Sequence, residues 1–375
     1  MALTEKGKNA VLLAFKYFPT EEFSASMLSE ACGEKIVAAT LTGAANNGYL
    51  EKIEGTSPAL YRCCDELAEM IKELCEENKG CTKVNLDKAK KEKNDEFYTR
   101  YEDIEDEVMK YRKQFKDKII YLPCDDPVEK KSEFWSFFVN NFDAFGLKKL
   151  IATHYDENGK AYKIWIDGDT SGDGWVDDSD ALQEDLEGNG DFHSEECTEI
   201  LKECDIVCTN PPFSLFRDFV DWILSNNKQF LIIGNKNAIT YKEIFPLIKE
   251  NKVWLGYTIP NKFYLEDRTL TNQVNGLCRW FTNLSTTKRN EEIILTKTYN
   301  KIDYPKYENY DAIEVSKVVN IPKDYFGAMG VPITFIDKYN PDQFEIIKFR
   351  KGDDEKDLRF NGKEPYFRVL IKRKK

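Results

Sequence analysis

Asp205-Ile206-Val207-Cys208-Thr209-Asn210-Pro211-Pro212-Phe213 is the stretch that decides how this chain folds. Ile206 to Cys208 is a short, β-branched apolar run, the pattern of a buried strand. The prolines end it abruptly, because each fixes its own φ and has no N–H to donate. Asn210 stands before a proline and is pushed out of the helical region. The result is a stiff tip at the carboxyl end of a strand, where open α/β sheets hold their ligands.

Outward from this tip, strands alternate with helices. Downstream, the spacing predicts a helix over Phe216 to Leu224, a strand over Phe230 to Gly234, a helix over Tyr241 to Lys249 and a strand over Val253 to Leu255. Upstream, Glu102 to Phe115 is amphipathic and helical, and Lys118 to Leu122 is a strand. An aromatic-rich helix follows over Phe134 to Phe142, then a strand over Lys149 to Thr153. Repeated β-α units of this size predict an α/β fold, with a mainly parallel sheet covered by helices on both faces.

Residues 1–62 read as a small domain of their own. Helical spacing covers Lys6 to Phe18, Ser24 or Ser26 can cap a second helix ending near Gly33, and a third runs from Lys35 to Asn47. A β-hairpin follows over Tyr49 to Arg62. Three helices and a hairpin resemble a winged helix, which places its third helix in the major groove. That helix carries little positive charge here, so a protein-contacting or purely structural domain is an equal alternative. Residues 65–78 read as an acidic helix and 81–93 as a charged linker.

The chain has 375 residues, with 41% hydrophobic and 13% aromatic, enough for a large core and more than one domain. No apolar run approaches the ~18 residues of a membrane span. The N-terminus has no secretory h-region. Ten cysteines are scattered without a C-x-x-C pair, and there are two histidines, so no metal site is expected. Reduced thiols in a cytoplasmic protein are the expectation. The net charge of −12 lowers the prospect of a nucleic-acid partner without excluding one, since the local field decides.

Two stretches allow more than one reading. Asp167 to Asp178 matches part of a calcium-loop spacing, including Gly172 at the sixth position. Its twelfth position is Asp178 instead of Glu, and Ala161 to Ile166 before it alternates like a strand. A turn-rich hairpin loop is the expected reading. Residues 256–345 interleave tyrosines (Tyr299, Tyr304, Tyr307, Tyr310, Tyr325, Tyr339) with Arg268, Arg279, Lys288, Arg289, Lys297 and Lys301. That mixture suits nucleic-acid contact, and it also suits an ordinary amphipathic surface.

The chemistry of the tip follows from its atoms. The exocyclic amine of adenine is a poor nucleophile, because its lone pair is delocalised into the ring. A site that accepts both N–H bonds localises that pair. The Asn210 side-chain oxygen and the Pro211 backbone supply two such acceptors. Phe213 can stack on the base.

Asn210-Pro211-Pro212-Phe213 resembles the motif of amino-group methyltransferases that use S-adenosylmethionine. Phe97-Tyr98-Thr99, Cys124-Asp125-Asp126-Pro127, Leu147 to Thr153, Gly190-Asp191-Phe192 and Met329 to Phe335 narrow the resemblance to the EcoRI-type adenine-specific DNA methyltransferases, over about Asn94 to Lys375. The resemblance implies a Rossmann-like methyltransferase sheet over 94–255 and a target-recognition region over 256–375, with residues 1–80 as a winged-helix-like addition. It implies methyl transfer to a flipped-out adenine held by Asn210, Pro211, Pro212 and Phe213. It implies a cofactor site of Phe97, Tyr98, Thr99, Cys124, Asp125, Pro127, Asp191 and Phe192. His154, Tyr155 and Asp156 compete for the cofactor ribose, and Tyr155 is taken with the site. The family's usual glycine-rich loop is missing, since no Gly lies between Leu122 and Asn140. Double-stranded DNA is the implied partner, with a cognate restriction endonuclease in the same system as a further candidate. The alternatives are an RNA base methyltransferase and a winged-helix regulator whose methylase fold is inactive.

Overall fold

The computed structural model describes residues 10–11, 13–14, 22–32, 35–46, 50–53, 56, 58–63, 98–125, 127, 133–157, 160–265, 268–271, 274 and 276–374. The chain divides into two compact units, Met1–Asn94 and Asp95–Lys375. The helix expected over 65–78, the linker over 81–93 and most of the helix over 6–18 lie outside the described residues.

The first unit contains β1 (Phe23–Ser24), α1 (Ala25–Cys32), α2 (Ala38–Asn46), β2 (Leu50–Ile53) and β3 (Leu60–Cys63). Ser24 caps α1, its Oγ accepting the Met27 amide at 3.2 Å. β3 lies between β1 and β2 and is antiparallel to both. Phe23, Leu28, Leu41, Leu50 and Tyr61 are buried together. The Tyr61 hydroxyl donates to the Ala38 carbonyl at 3.2 Å and so fastens the hairpin to α2.

The second unit runs β4 (Tyr98–Thr99), α3 (Tyr101–Val108), α4 (Arg112–Phe115), β5 (Ile119–Leu122), α5 (Glu133–Asn140), α6 (Phe142–Phe145), β6 (Lys149–His154), β7 (Tyr162–Ile166), β8 (Leu182–Asp185), α7 (Glu195–Glu203), β9 (Ile206–Thr209), α8 (Phe216–Ser225), β10 (Gln229–Asn235) and α9 (Ile244–Lys249). It continues with β11 (Trp254–Leu255), β12 (Phe263–Tyr264), β13 (Leu270–Thr271), β14 (Cys278–Thr282), β15 (Ala312–Glu314), β16 (Ala328–Pro332), β17 (Phe344–Phe349) and β18 (Arg368–Arg373).

An eight-stranded sheet has the order β11-β14-β10-β9-β5-β6-β7-β8. Its middle strands β10, β9, β5 and β6 are parallel. Both flanks are antiparallel: β14 and β11 on one side, β7 and β8 on the other. The expectation of a mainly parallel sheet is therefore corrected to a parallel centre with antiparallel flanks. Val253 to Leu255 contributes the edge strand β11, not another parallel unit. The helix expected from Tyr241 begins at Ile244, because Lys236–Thr240 is a 3-10 turn capped by the Asn235 side chain.

Strand alternation divides the core between the two faces. Ile119, Tyr121, Ile151, Val207, Phe230 and Ile232 join one cluster with Leu201, Phe219, Ile223 and Ile248 of α7, α8 and α9. Ile120, Leu122, Leu150, Ile206, Leu231 and Ile233 join the other with Ile104, Phe115, Phe137, Phe138 and Phe145 of the helices α3 to α6. Helices on both faces are thus borne out. Each fully buried aromatic of this kind stabilises by about 1.5–3 kcal/mol relative to exposure.

β7 and β8 form the expected hairpin around the acidic loop. Asp169 accepts amides from Gly172 and Gly174, and Asp180 accepts amides from Thr170, Ser171 and Asp177. Those carboxylates are occupied in shaping the loop. Among the described residues, no cluster of side chains has a metal-holding arrangement.

A three-stranded ribbon has the order β13-β12-β4, and a four-stranded sheet has the order β15-β16-β18-β17. In the latter, Glu314 is buried and takes both Arg368 and the Tyr307 hydroxyl. Among the described residues, no helix is long and apolar enough to cross a membrane.

Candidate active site

The site begins with β9, whose four residues are all buried. Pro211 is buried behind it, Pro212 turns the chain at φ −52° and ψ 129°, and Phe213–Leu215 is a single 3-10 turn leading into α8. The Leu215 amide closes that turn on the Pro212 carbonyl at 3.0 Å. Asn210 is therefore held between a fully buried strand and a closed turn. It is half-buried, with Oδ1 below the surface. Phe213 is half-buried and packs against the cluster that contains Leu122 and Cys208.

The neighbouring strand β5 ends at Leu122 and feeds Pro123-Cys124-Asp125. Asp125 is only 3% exposed. Its Oδ2 accepts the Thr209 hydroxyl at 3.2 Å. This bond brings Asp125 beside the residue that precedes Asn210. Cys124 is half-buried and Pro127 buried. The Tyr121 hydroxyl and Thr153 Oγ1 lie 2.9 Å apart beneath this loop.

One strand further, β6 ends at His154, whose ring stacks on Tyr162 with centroids 5.0 Å apart. Tyr155 follows, 49% exposed. Its phenol pKa is raised by partial burial and then by the carboxylates of Glu157, Asp191 and Asp156. The Asp156 amide donates to the Asn189 carbonyl at 3.0 Å. Gly190 is held at φ +76°, and a Cβ there would lie 2.4 Å from the His154 carbonyl oxygen. Only glycine allows this approach, which seats the 189–192 loop against the end of β6.

Asp191 Oδ1 accepts the His193 amide at 2.9 Å and lies 2.9 Å from the His193 ring Nδ1. Phe192 is 7% exposed and packs on Phe219 and Trp222 at 5.0 and 5.3 Å. Its ring is mostly committed to the core.

Asp125, Tyr155, Asp191 and Asn210 thus converge on the carboxyl ends of β5, β6 and β9. Thr99 lies on the β4 ribbon, paired with Phe263 of β12, and Tyr98 pairs with Tyr264. Thr99 is 1% exposed, and its hydroxyl has no hydrogen-bond partner among the described residues. Phe97 lies outside them.

Two features had no mark in the sequence. Thr209 sits beside the motif but outside it. Glu107 of α3 is fully buried and accepts from the Tyr111 hydroxyl, the Tyr257 amide and both donors of Thr258. Burial pushes its pKa up, and these hydrogen bonds oppose that push. An acidic residue on an amphipathic helix reads as solvent-facing, and only the 150-residue separation from Tyr257 brought by the fold buries it.

Part of the tyrosine- and base-rich region turns inward. Tyr304, Tyr307 and Tyr339 are buried core residues and not part of an exposed surface. Arg279 pairs with Asp337, Lys288 donates to the Gly256 carbonyl, and Arg289 lies 4.0 Å over Trp254. Lys297 and Lys301 remain exposed.

A sequence model of the family described as adenine-specific methyltransferase EcoRI matches residues 85–374. The Type II methyltransferase M.EcoRI of Escherichia coli is 47% identical over 326 residues, covering 79% of this chain and 98% of that protein. M.MgeORF184P of Mycoplasma genitalium is 38% identical, covering 77% of this chain and 98% of the relative. M.MpnI of Mycoplasma pneumoniae is 41% identical, covering 70% and 84% respectively. No solved structure gives a significant match.

Proposed function

The chain belongs to the EcoRI family of adenine-specific methyltransferases, and from that premise we propose that it methylates N6 of a flipped-out adenine at a specific site in double-stranded DNA. The observation that carries this reading is the placement of Asn210 at the carboxyl end of β9, fixed by Pro211 and the closed turn at Pro212.

Asn210 Oδ1 and the Pro211 carbonyl accept the two N–H bonds of the adenine amine. Accepting both draws the lone pair out of the ring and onto nitrogen. Phe213 stacks on the base and holds its plane. No strong general base is required, because the amine proton becomes acidic as the new N–C bond forms. S-adenosylmethionine, when bound, supplies an electrophilic sulfonium methyl.

The residues present fit that cofactor. Thr99 keeps a buried hydroxyl in need of a partner. Asp125, Asp156 and Asp191 give this edge a negative potential suited to a cofactor with ammonium and sulfonium charges. In this reading Tyr98, Thr99, Cys124, Asp125, Pro127, Tyr155, Asp191 and Phe192 line it, and Phe97 is kept with them on the family resemblance alone. The C-terminal region reads the target, and the N-terminal unit is a winged-helix-like addition. Its α2, Ala38–Asn46, has no charged residue, so support there for phosphate contact is absent.

The test is methyl transfer from labelled cofactor to duplex DNA and to total RNA. Asn210→Ala is expected to abolish turnover on DNA while cofactor binding, measured by calorimetry, survives. Turnover by Asn210→Ala, or activity on RNA alone, overturns the reading.

A further inference from the structure

We propose that the Thr209 hydroxyl is a positioning group that sets the distance between the methyl-donor side of the site and the acceptor side. The proposal rests on the reading of Asn210 and Asp125 given above.

The backbone ladder between β5 and β9 pairs Ile120 with Ile206 and Tyr121 with Val207, and goes no further. Leu122 and Cys208, the next residues along, lie in one buried cluster, and the two chains then leave the sheet. Asp125 follows the end of β5 and Asn210 the end of β9. The Thr209 hydroxyl reaches across to Asp125 Oδ2 at 3.2 Å. Thr209 is 0% exposed and Asp125 is 3% exposed, so water does not compete for this bond.

A buried threonine has a simpler option, shown elsewhere in the same sheet. Thr282 donates to the Phe230 carbonyl of the neighbouring strand at 2.6 Å. Thr209 instead spends its only donor on a carboxylate 84 residues away. At 3.2 Å this is a longer bond than the Thr282 one, and what it contributes is direction and spacing. This one ties the loop after β5 to the residue immediately before Asn210.

In-line transfer depends on the separation and angle of two reacting atoms, and small misplacements cost large factors in rate. Letting the two strand ends shift apart would therefore slow transfer more than it weakens cofactor binding. That asymmetry separates a positioning role from a merely structural one.

The experiment compares wild type, Thr209→Val, Thr209→Ser and Asn210→Ala in single-turnover methyl transfer at saturating cofactor and DNA, with cofactor Kd and Tm measured on each. Thr209→Val keeps the shape and removes the donor. It is expected to lower the single-turnover rate about ten- to hundredfold and to change cofactor Kd less than about threefold. Thr209→Ser restores the rate to within about threefold. Adding Thr209→Val to Asp125→Ala is expected to bring no further loss of rate. A wild-type rate in Thr209→Val, or a loss confined to Kd, overturns the proposal. If Thr209→Val does not fold, Asp125→Ala decides, and its wild-type rate at saturating cofactor overturns the proposal. Turnover by Asn210→Ala would instead sink the site reading itself, whatever Thr209 does.

Discussion

Glu107 holds Thr258 at two points: its Oε2 accepts the Thr258 amide at 2.6 Å and the Thr258 hydroxyl at 2.7 Å. Its Oε1 accepts the Tyr257 amide and the Tyr111 hydroxyl, both at 2.8 Å. Both oxygens face donors only, in a site with no access to water. The segment so held leads from β11 into β12, and β12 is the strand on which Tyr98 and Thr99 pair. A buried carboxylate in the helical layer thus anchors one wall of the proposed cofactor site.

Glu107→Gln replaces one acceptor with an NH2 group that must oppose two donors. The expected cost is about 2–4 kcal/mol of stability, because buried donors lose their acceptor with no water to take its place. Urea denaturation of the two chains measures it. Cofactor affinity falls with it, since β12 is no longer fixed. An unchanged midpoint would mean that Glu107 does not anchor Thr258.

Thr99→Val separates structure from function in the opposite sense. The Thr99 hydroxyl is buried without a partner among the described residues, which costs the empty protein stability. Valine keeps the shape and removes that cost. The variant is expected to be more stable than wild type by about 1 kcal/mol without cofactor. It is expected to bind S-adenosylmethionine about tenfold more weakly. Thermal melting and calorimetry give the two numbers. A variant that gains stability and keeps its affinity removes Thr99 from the site.

The strand–helix alternation was legible because each central strand is a short apolar run and each helix has one apolar face. The flanks were not. β8 is Leu-Gln-Glu-Asp, exposed at all four positions, so it has no apolar period to read. β14 carries a readable apolar pattern, but period alone does not say whether a strand pairs parallel or antiparallel. At the site, Asn210 was legible because two prolines leave its backbone few choices. Asp125 and Asp191 were reached through family resemblance. Thr209 and Glu107 were not reached, because their partners lie 84 and 151 residues away and no local pattern marks either one. Tyr304, Tyr307 and Tyr339 misled for a related reason: an aromatic ring suits a core as well as a base.

The acidic hairpin makes a prediction about pH. The Asp180 carboxylate is held down to about 2, mainly by the amides of Asp177 and Ser171, with the amide and hydroxyl of Thr170. Its folded value lies below the ordinary 3.8. Its contribution to loop order is therefore complete above 3.8 and is lost as the pH falls through about 2. The Asp180 carboxyl carbon, followed by NMR, is expected to titrate near that lower value. A midpoint at the ordinary aspartate value would show that the three amides do not hold it.

The thiols make the last prediction, through the ends of β5 and β9. Cys197, Cys204, Cys208 and Cys278 are buried and form no disulfide. Burial pushes all four thiols up, Cys204 and Cys278 to about 12. Only the thiolate attacks an alkylating agent, so these four carry almost none of it at pH 8 and are shielded as well. Cys124 is half-buried, beside Asp125 in the loop after β5. Iodoacetamide is expected to label Cys124 fastest of the five, as read peptide by peptide in a mass spectrometer. Saturating S-adenosylmethionine should slow that labelling if the cofactor lies against this loop. Cys208 is one residue from Thr209, fully buried within β9. Labelling of Cys208 at the rate of Cys124 would mean that β5 and β9 open along their length, and that the Thr209–Asp125 bond does not hold their ends together.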